Sequence, residues 1–229
     1  MFNLVRQFIM TGITERWNNP KEWIAASVIT LVSVALSAAT WSSLPERMII
    51  HWNMYGEADG YSSKFFGALI IPSVSVLILL LLVAIPRIDP SGNIGGFWDQ
   101  YRGLVNVIQL YFLYFNSIYL ALNLGYQFSI MAALAPALAV MFYYIGTIME
   151  KAKQNWFVGV RTPWTLSSEE VWVKTHLMAG KVFKVSGLFT FLGLLVPELA
   201  FWVIIIPVLL GSLYLILYSY QEYQRMRAK

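Results

Sequence analysis

The sequence predicts an all-α integral membrane protein, built as a six-transmembrane-helix bundle with an N-terminal interfacial helix. Three observations lead there. Hydrophobic residues fill 58% of the 229 positions and charged ones only 12%, with a mean hydropathy of +0.61, a composition that belongs to chains with long apolar stretches. The apolar residues fall into six runs, five of them close to the roughly 20 residues a helix needs to cross the hydrocarbon. Lys and Arg concentrate in alternate gaps between those runs.

The runs are read at 23–41, 65–85, 104–124, 128–149, 182–196 and 201–218. The fifth is short, but its helical pattern begins earlier, near Ser168, so it enters the membrane as the end of a longer helix. Six spans place both termini on one side. That side carries 13 Lys and Arg, the opposite side only Arg47 and Lys64, and Lys184 at a helix start is left out of the count. The bias predicts a multi-pass protein of the cell membrane with cytoplasmic amino and carboxyl termini. Three segments follow: a cytoplasmic interfacial helix over 1–22, an N-terminal three-helix half over 23–124 with an extracellular loop at 42–64, and a C-terminal half over 125–229 with a cytoplasmic loop and helix at 150–181.

Within the first segment Phe2, Val5, Ile9 and Ile13 recur at helical spacing, as in a helix lying on a membrane surface. The first apolar run begins only at residue 23 and further runs follow it, so it reads as a retained span and not a cleaved leader. Cysteine is absent, which excludes disulfides, thiolate metal sites and a cysteine nucleophile.

The third span carries Asn106, Gln109, Asn116 and Asn123 on about a third of the helix circumference. This polar stripe has two readings: a hydrophilic ligand groove, or interhelical hydrogen bonds that hold the bundle together. Thr30, Ser33, Ser37 and Thr40 in the first span, and Ser186, Thr190 and Gly193 in the fifth, read as packing seams and permit a homo-oligomer. The first four spans and the sixth have no ionisable residue in their middles, which argues against a proton-coupled carrier.

Two polar segments remain. The outward one, SSLPERMIIHWNMYGEADGYSSK at 42–64, ends the first helix at Leu44 and Pro45, extends over 48–53 and turns over 56–60. His51, Asn53, Glu57 and Asp59 are its ligand candidates. A single His among oxygen donors is a weak metal pattern, so no metal is assigned; the plain alternative is a membrane-hugging loop anchored by Trp52, Tyr55 and Tyr61. The inward segment contains NWFVGVRTPWTL at 155–166, followed by a capping box from Ser167 to Glu170 and a hydrophobic staple between Leu166 and Val171. Glu170 and Lys174 form an i, i+4 pair, and Trp172, His176, Ala179 and Phe183 share one helical face. Its candidates are Asn155, Arg161, Trp164, Trp172 and His176. Arg161 reads as an anchor for phospholipid phosphates or a contact for a cytoplasmic partner, and Trp156, Trp164 and Trp172 as interfacial anchors.

The stretch LPERMIIHWNMYGEADGYSSK resembles the domain of unknown function found ahead of SdpI-like membrane proteins, and NWFVGVRTPWTLSSEEVWVKTHLMAG resembles the signature of the SdpI family. The matching positions are Leu44, Pro45, His51, Trp52, Asn53, Gly56, Asp59, Gly60 and Lys64, then Asn155, Gly159, Arg161, Thr162, Pro163, Trp164, Trp172 and His176. The resemblance implies an immunity and signal-transduction protein. Such a protein resists an antimicrobial peptide toxin met outside the cell and holds a cytoplasmic repressor at the membrane. It implies no enzymatic activity and no cofactor, with membrane lipid and protein as partners and no direct contact with nucleic acid. The alternative function is a small-molecule transporter or channel using the stripe of the third span. An intramembrane enzyme is disfavoured, because His51 and His176 fall on opposite faces and no Ser, His and Asp come together.

Overall fold

The computed structural model describes residues 16–228, so the interfacial helix expected at the amino terminus lies outside the described residues up to position 15. Seven α-helices and one hairpin follow: α1 Ile24–Thr40, β1 Arg47–Trp52, β2 Ala58–Ser63, α2 Lys64–Ile88, α3 Trp98–Asn123, α4 Ile130–Met149, α5 Pro163–Ser167, α6 Glu169–Phe191 and α7 Ala200–Arg227. Six of these helices are long and apolar enough to span a bilayer, all but the short α5. Several outrun the predicted spans: α2 continues to Ile88, α3 begins at Trp98, and α7 runs on to Arg227. The hydropathy signal stops at the hydrocarbon edge, whereas the backbone stays helical into the polar layer. At the fifth span the reverse holds. α6 ends at Phe191, and short 3-10 turns at Leu192–Leu194 and Pro197–Leu199 complete the connection.

Antiparallel neighbours put the hairpin and the α3–α4 and α6–α7 connections at one end of the bundle. The α2–α3 and α4–α6 connections and the carboxyl terminus lie at the other. These are the hairpin end and the loop end. α1, α2 and α3 pack on one another, α4, α6 and α7 likewise, and α3 joins the sets through α4. α4 and α6 form the most intimate pair. A Cβ added to Gly187 would sit 2.7 Å from the Ala139 carbonyl oxygen, and one added to Gly146 the same distance from that of Gly180. Backbone-to-backbone approach of this kind replaces the hydrophobic drive that lipid cannot supply.

α3 is the hub. Gln109 is fully buried and meets the Thr30 hydroxyl at 2.9 Å on α1 and that of Ser75 at 2.6 Å on α2. The Asn116 amide donates to the Ser33 carbonyl at 3.0 Å and to the Ser33 and Ser37 hydroxyls at 3.1 Å each. Asn123 accepts from the Ile49 amide at 2.7 Å and donates to the Ile49 carbonyl at 3.2 Å, so one side chain occupies the open edge of β1 as a third strand would. Asn106 is only half-buried, and its side-chain oxygen meets no partner among the described residues.

Tyrosines on α3 also bond carbonyls of neighbouring helices. Pro86 lacks the N–H that would bond the Leu82 carbonyl, and the Tyr101 hydroxyl donates to that carbonyl at 2.6 Å. Tyr114 reaches the Ala133 carbonyl at 2.7 Å beside Pro136, and Tyr119 the Gly67 carbonyl at 2.9 Å. In a bilayer no water competes for these groups, so each must be met from within.

Apolar packing closes both ends. At the loop end Trp17, Trp23, Ile94, Phe97, Trp98 and Tyr101 form one core with Trp172, the Trp23 and Trp98 rings meeting edge-on at 5.3 Å. At the hairpin end Leu44, Met48, Ala68, Ile71, Tyr119 and Leu120 form another. Removing the Tyr101 hydroxyl leaves a buried carbonyl without a donor, a loss of about 1–3 kcal/mol. Tyr101→Phe is therefore expected to lower the unfolding midpoint in detergent, whereas Tyr126→Phe, on an exposed side chain, leaves it unchanged. Equal midpoints for the two variants would refute this role of Tyr101.

Candidate functional site

The candidate residues divide between the two ends of the bundle. At the hairpin end, β1 and β2 pair antiparallel, Arg47 opposite Ser63 and Ile49 opposite Tyr61, with two shifts of register between Ile49 and Trp52. The extended stretch expected at 48–53 is present. The turn expected over 56–60 is not where it was read: β2 already begins at Ala58, and the chain reverses over 53–57. The physical reason lies in Asn53, whose side-chain oxygen accepts the amides of Tyr55 at 2.9 Å and Glu57 at 3.0 Å and closes the reversal early.

His51, Asn53, Glu57 and Asp59 form two separate pairs here. The His51 Nδ1 lies 2.6 Å from an Asp59 carboxylate oxygen across the strands, and the Asn53 amide donates to Glu57 at 2.8 Å. Among the described residues no three His, Asp or Glu side chains are placed to hold a metal ion. The pairs fasten the hairpin tip and present its charged side chains to solvent. Arg47 lies over the Tyr61 ring at 4.5 Å, and Lys64 lies 5.6 Å from the Trp41 ring centroid. Met48 is fully buried beneath, and Trp52 meets Tyr119 edge-on at 6.1 Å.

At the loop end, residues 151–162 fold into a platform without regular secondary structure. Asn155, 1% exposed, is its centre: its oxygen accepts from the amides of Phe157 at 2.8 Å and Val158 at 2.7 Å, while its nitrogen donates to the carbonyls of Lys153 at 2.8 Å and Val158 at 2.9 Å. Two side chains of α6 then clamp the platform. Trp172 donates from its indole nitrogen to the Ala152 carbonyl at 2.8 Å. His176 accepts the Val160 amide on Nε2 at 3.1 Å, which leaves its proton on Nδ1 to be donated to the Trp172 carbonyl at 2.8 Å. The imidazole is thus held neutral by its hydrogen bonds. It stacks on Trp172 with ring centroids 3.8 Å apart.

Two expectations are corrected here. Trp172 is not an interfacial anchor: it is 1% exposed, because its ring and nitrogen are both committed to the platform. The capping box at Ser167 and Glu170 is also displaced. Ser168 caps α6, accepting the Val171 amide at 3.3 Å, because Ser167 is already the last residue of α5. That short helix starts at Pro163 under a capping box of its own, formed by Thr162 and Thr165. The one-residue shift also moves Leu166 and Val171 out of staple register. The Glu170 to Lys174 pair forms as read, at 2.8 Å.

Arg161 is exposed and donates to the Trp156 carbonyl at 2.6 Å, which sets its guanidinium on the outer surface of the platform. Trp164 packs on Tyr220 of α7 at 5.1 Å, and Thr162 meets the Ser219 hydroxyl at 3.1 Å. The sequence reading missed the groups that tie the platform to the rest of the bundle. Asp89 accepts the Trp156 amide at 3.3 Å, Asn93 donates to the Gln154 carbonyl at 2.7 Å, and Gln154 donates to the carbonyls of Thr165 at 2.8 Å and Leu166 at 3.0 Å. Glu150 and Lys184 pair at 2.7 Å between α4 and α6. Nothing in their local pattern distinguishes these residues from ordinary loop polarity.

The stripe of α3 belongs to neither end. Gln109, Asn116 and Asn123 are buried and joined to α1, α2 and β1 as described above, which is the packing reading of the stripe.

Comparison with known proteins adds to the geometry. Residues 151–219 match the SdpI/YfhL protein family, and residues 28–76 match a domain of unknown function, DUF1648. The chain is 28% identical over 207 residues to the immunity protein SdpI of Bacillus subtilis (strain 168), an alignment that covers 90% of this chain and 98% of that relative. No solved structure matches it. The likeness read from the two motifs therefore stands, and each motif lies inside its matched segment.

Gly159 gives the platform its sharpest test. Its φ of +128° suits glycine alone, and an added Cβ would be driven into the His176 Nε2. Backbone strain and overpacking together predict that Gly159→Ala destabilises the protein by about 2–5 kcal/mol, read as a fall in unfolding midpoint in detergent. An unchanged midpoint in Gly159→Ala would contradict the clamp.

Proposed function

We propose, from the likeness to the immunity protein SdpI, that this chain is a membrane immunity protein that meets a membrane-active peptide on one side and signals to a protein on the other. The hairpin end faces outward and the loop end, with both termini, faces the cytosol, in line with the charge bias of the sequence. The carrying observation is the placement of the two matched segments. Residues 28–76 include the hairpin, residues 151–219 include the platform and the helix that clamps it, and the hairpin and the platform lie at opposite ends of one packed bundle.

The hairpin offers the peptide a fixed surface: His51 with Asp59, Asn53 with Glu57, and the exposed rings of Tyr55 and Tyr61. The platform offers a cytosolic partner such as a repressor the Arg161 guanidinium and the exposed indole of Trp156. For the message to pass, the peptide must bind one of two conformations of the bundle more tightly than the other. No chemical step is needed, and none is assigned.

Expression in a peptide-sensitive bacterial host is expected to protect it, and deletion in the native host to sensitise it. Asp59→Ala removes a charge-assisted contact and should reduce the protective margin about tenfold at unchanged protein level. Arg161→Ala should keep protection and lose the co-purifying cytosolic partner. If the unaltered chain protects against no membrane-active peptide, the reading fails. If both variants lose both properties together, the two ends are not separate sites.

A further inference from the structure

Between α6 and α7 the membrane-facing surface opens into a groove of 420 Å³, lined by Val185, Phe189, Ile206, Pro207 and Leu210, with Lys181 at its loop-end mouth. From Lys181 to Phe189 the groove follows about 12 Å of helix. α7 is the span that the rest of the protein covers least, with 17% of its apolar window buried.

The charges around the mouth decide what fits. Glu222 is taken by Lys174 at 3.1 Å and Arg225 at 2.6 Å, Glu170 by Lys174 at 2.8 Å, and Glu150 by Lys184 at 2.7 Å. Lys181 is exposed and forms no ion pair among the described residues. An uncompensated ammonium thus stands over an apolar channel, with the nearby carboxylates already engaged. A ligand with an acidic head and a hydrocarbon tail complements both features.

We propose that this groove binds one anionic phospholipid of the loop-end leaflet, with its phosphate on the Lys181 Nζ and an acyl chain along Val185, Phe189, Ile206 and Leu210. The site would hold α6, which clamps the platform, against α7, and it would make the stability of that pair depend on lipid composition.

The test uses the full chain in neutral detergent, titrated with phosphatidylglycerol, with bound lipid counted by native mass spectrometry and stability read as the unfolding midpoint. Phosphatidylglycerol is expected to bind and raise the midpoint. Phosphatidylcholine, with the chains but no net charge, and inorganic phosphate, with the charge but no chain, should do neither. Lys181→Gln should weaken phosphatidylglycerol binding about fivefold, and Val185→Trp should block the groove without altering charge. Arg227→Gln, which removes an exposed cation away from the groove, should leave binding unchanged. Equal losses in Lys181→Gln and Arg227→Gln would overturn the proposal in favour of diffuse attraction. Binding of phosphatidylcholine as tight as that of phosphatidylglycerol, or unaltered binding in Val185→Trp, would overturn it as well.

Discussion

Hydrocarbon offers the backbone no hydrogen bonds, and that single constraint organises most of this molecule. A carbonyl released by a proline in a span, or an irregular segment near the membrane, is costly unless its partner lies inside the protein. Tyr101 meets the carbonyl freed by Pro86, Asn123 closes the edge of β1, and Asn155 satisfies the turn of the platform around itself. Gln109, Asn116 and Asn123 of α3 bond α1, α2 and β1 in the same way. They are the means by which a bundle surrounded by lipid acquires a unique arrangement, since apolar side chains gain little by leaving lipid for each other.

At the platform, outside the spans, side chains of the protein do the same work in competition with water. A twelve-residue connection without helix or strand, if left to water, would sample many conformations. Here Trp172 and His176 project from a spanning helix and hold it at Ala152 and Val160, while Gln154 fixes the short helix that follows. Both clamps sit on α6, and α6 is packed backbone to backbone against α4, so the platform rests on that helix pair. The hairpin is joined to the bundle in a comparable way, through Met48 and Asn123. Each end is therefore anchored on the helices beneath it.

How much of this the sequence disclosed depended on the range of the interaction involved. The six spans were legible because hydropathy is additive along the chain, and the extended character of 48–53 because Ile49, Ile50 and Trp52 are β-branched or aromatic. The stripe of α3 was legible as a stripe, but which partners it meets depends on α1, α2 and β1, which lie 34 to 83 positions away. The second strand was hidden because Gly56 to Gly60 reads as turn by composition, whereas Ala58 to Ser63 is extended by pairing with β1. The cap of α6 was misplaced by one residue because Ser167 and Ser168 are chemically equivalent, and only the preceding turn begun by Pro163 decides between them. Trp172 read as a membrane anchor because tryptophan commonly is one; its burial follows from a carbonyl twenty positions earlier. Asn155, His176 and Arg161 were found by motif, while Asp89, Gln154 and Glu150, which complete the same construction, carry no local signature at all.

The account turns on the hairpin and the platform lying across the bilayer from each other. The chain contains no cysteine, so a single one introduced at Glu57 or at Lys153, both exposed, reports its side without background. In intact cells a membrane-impermeant maleimide is predicted to label Glu57→Cys at once and Lys153→Cys only after the membrane is opened. Labelling of both positions in intact cells would contradict the account.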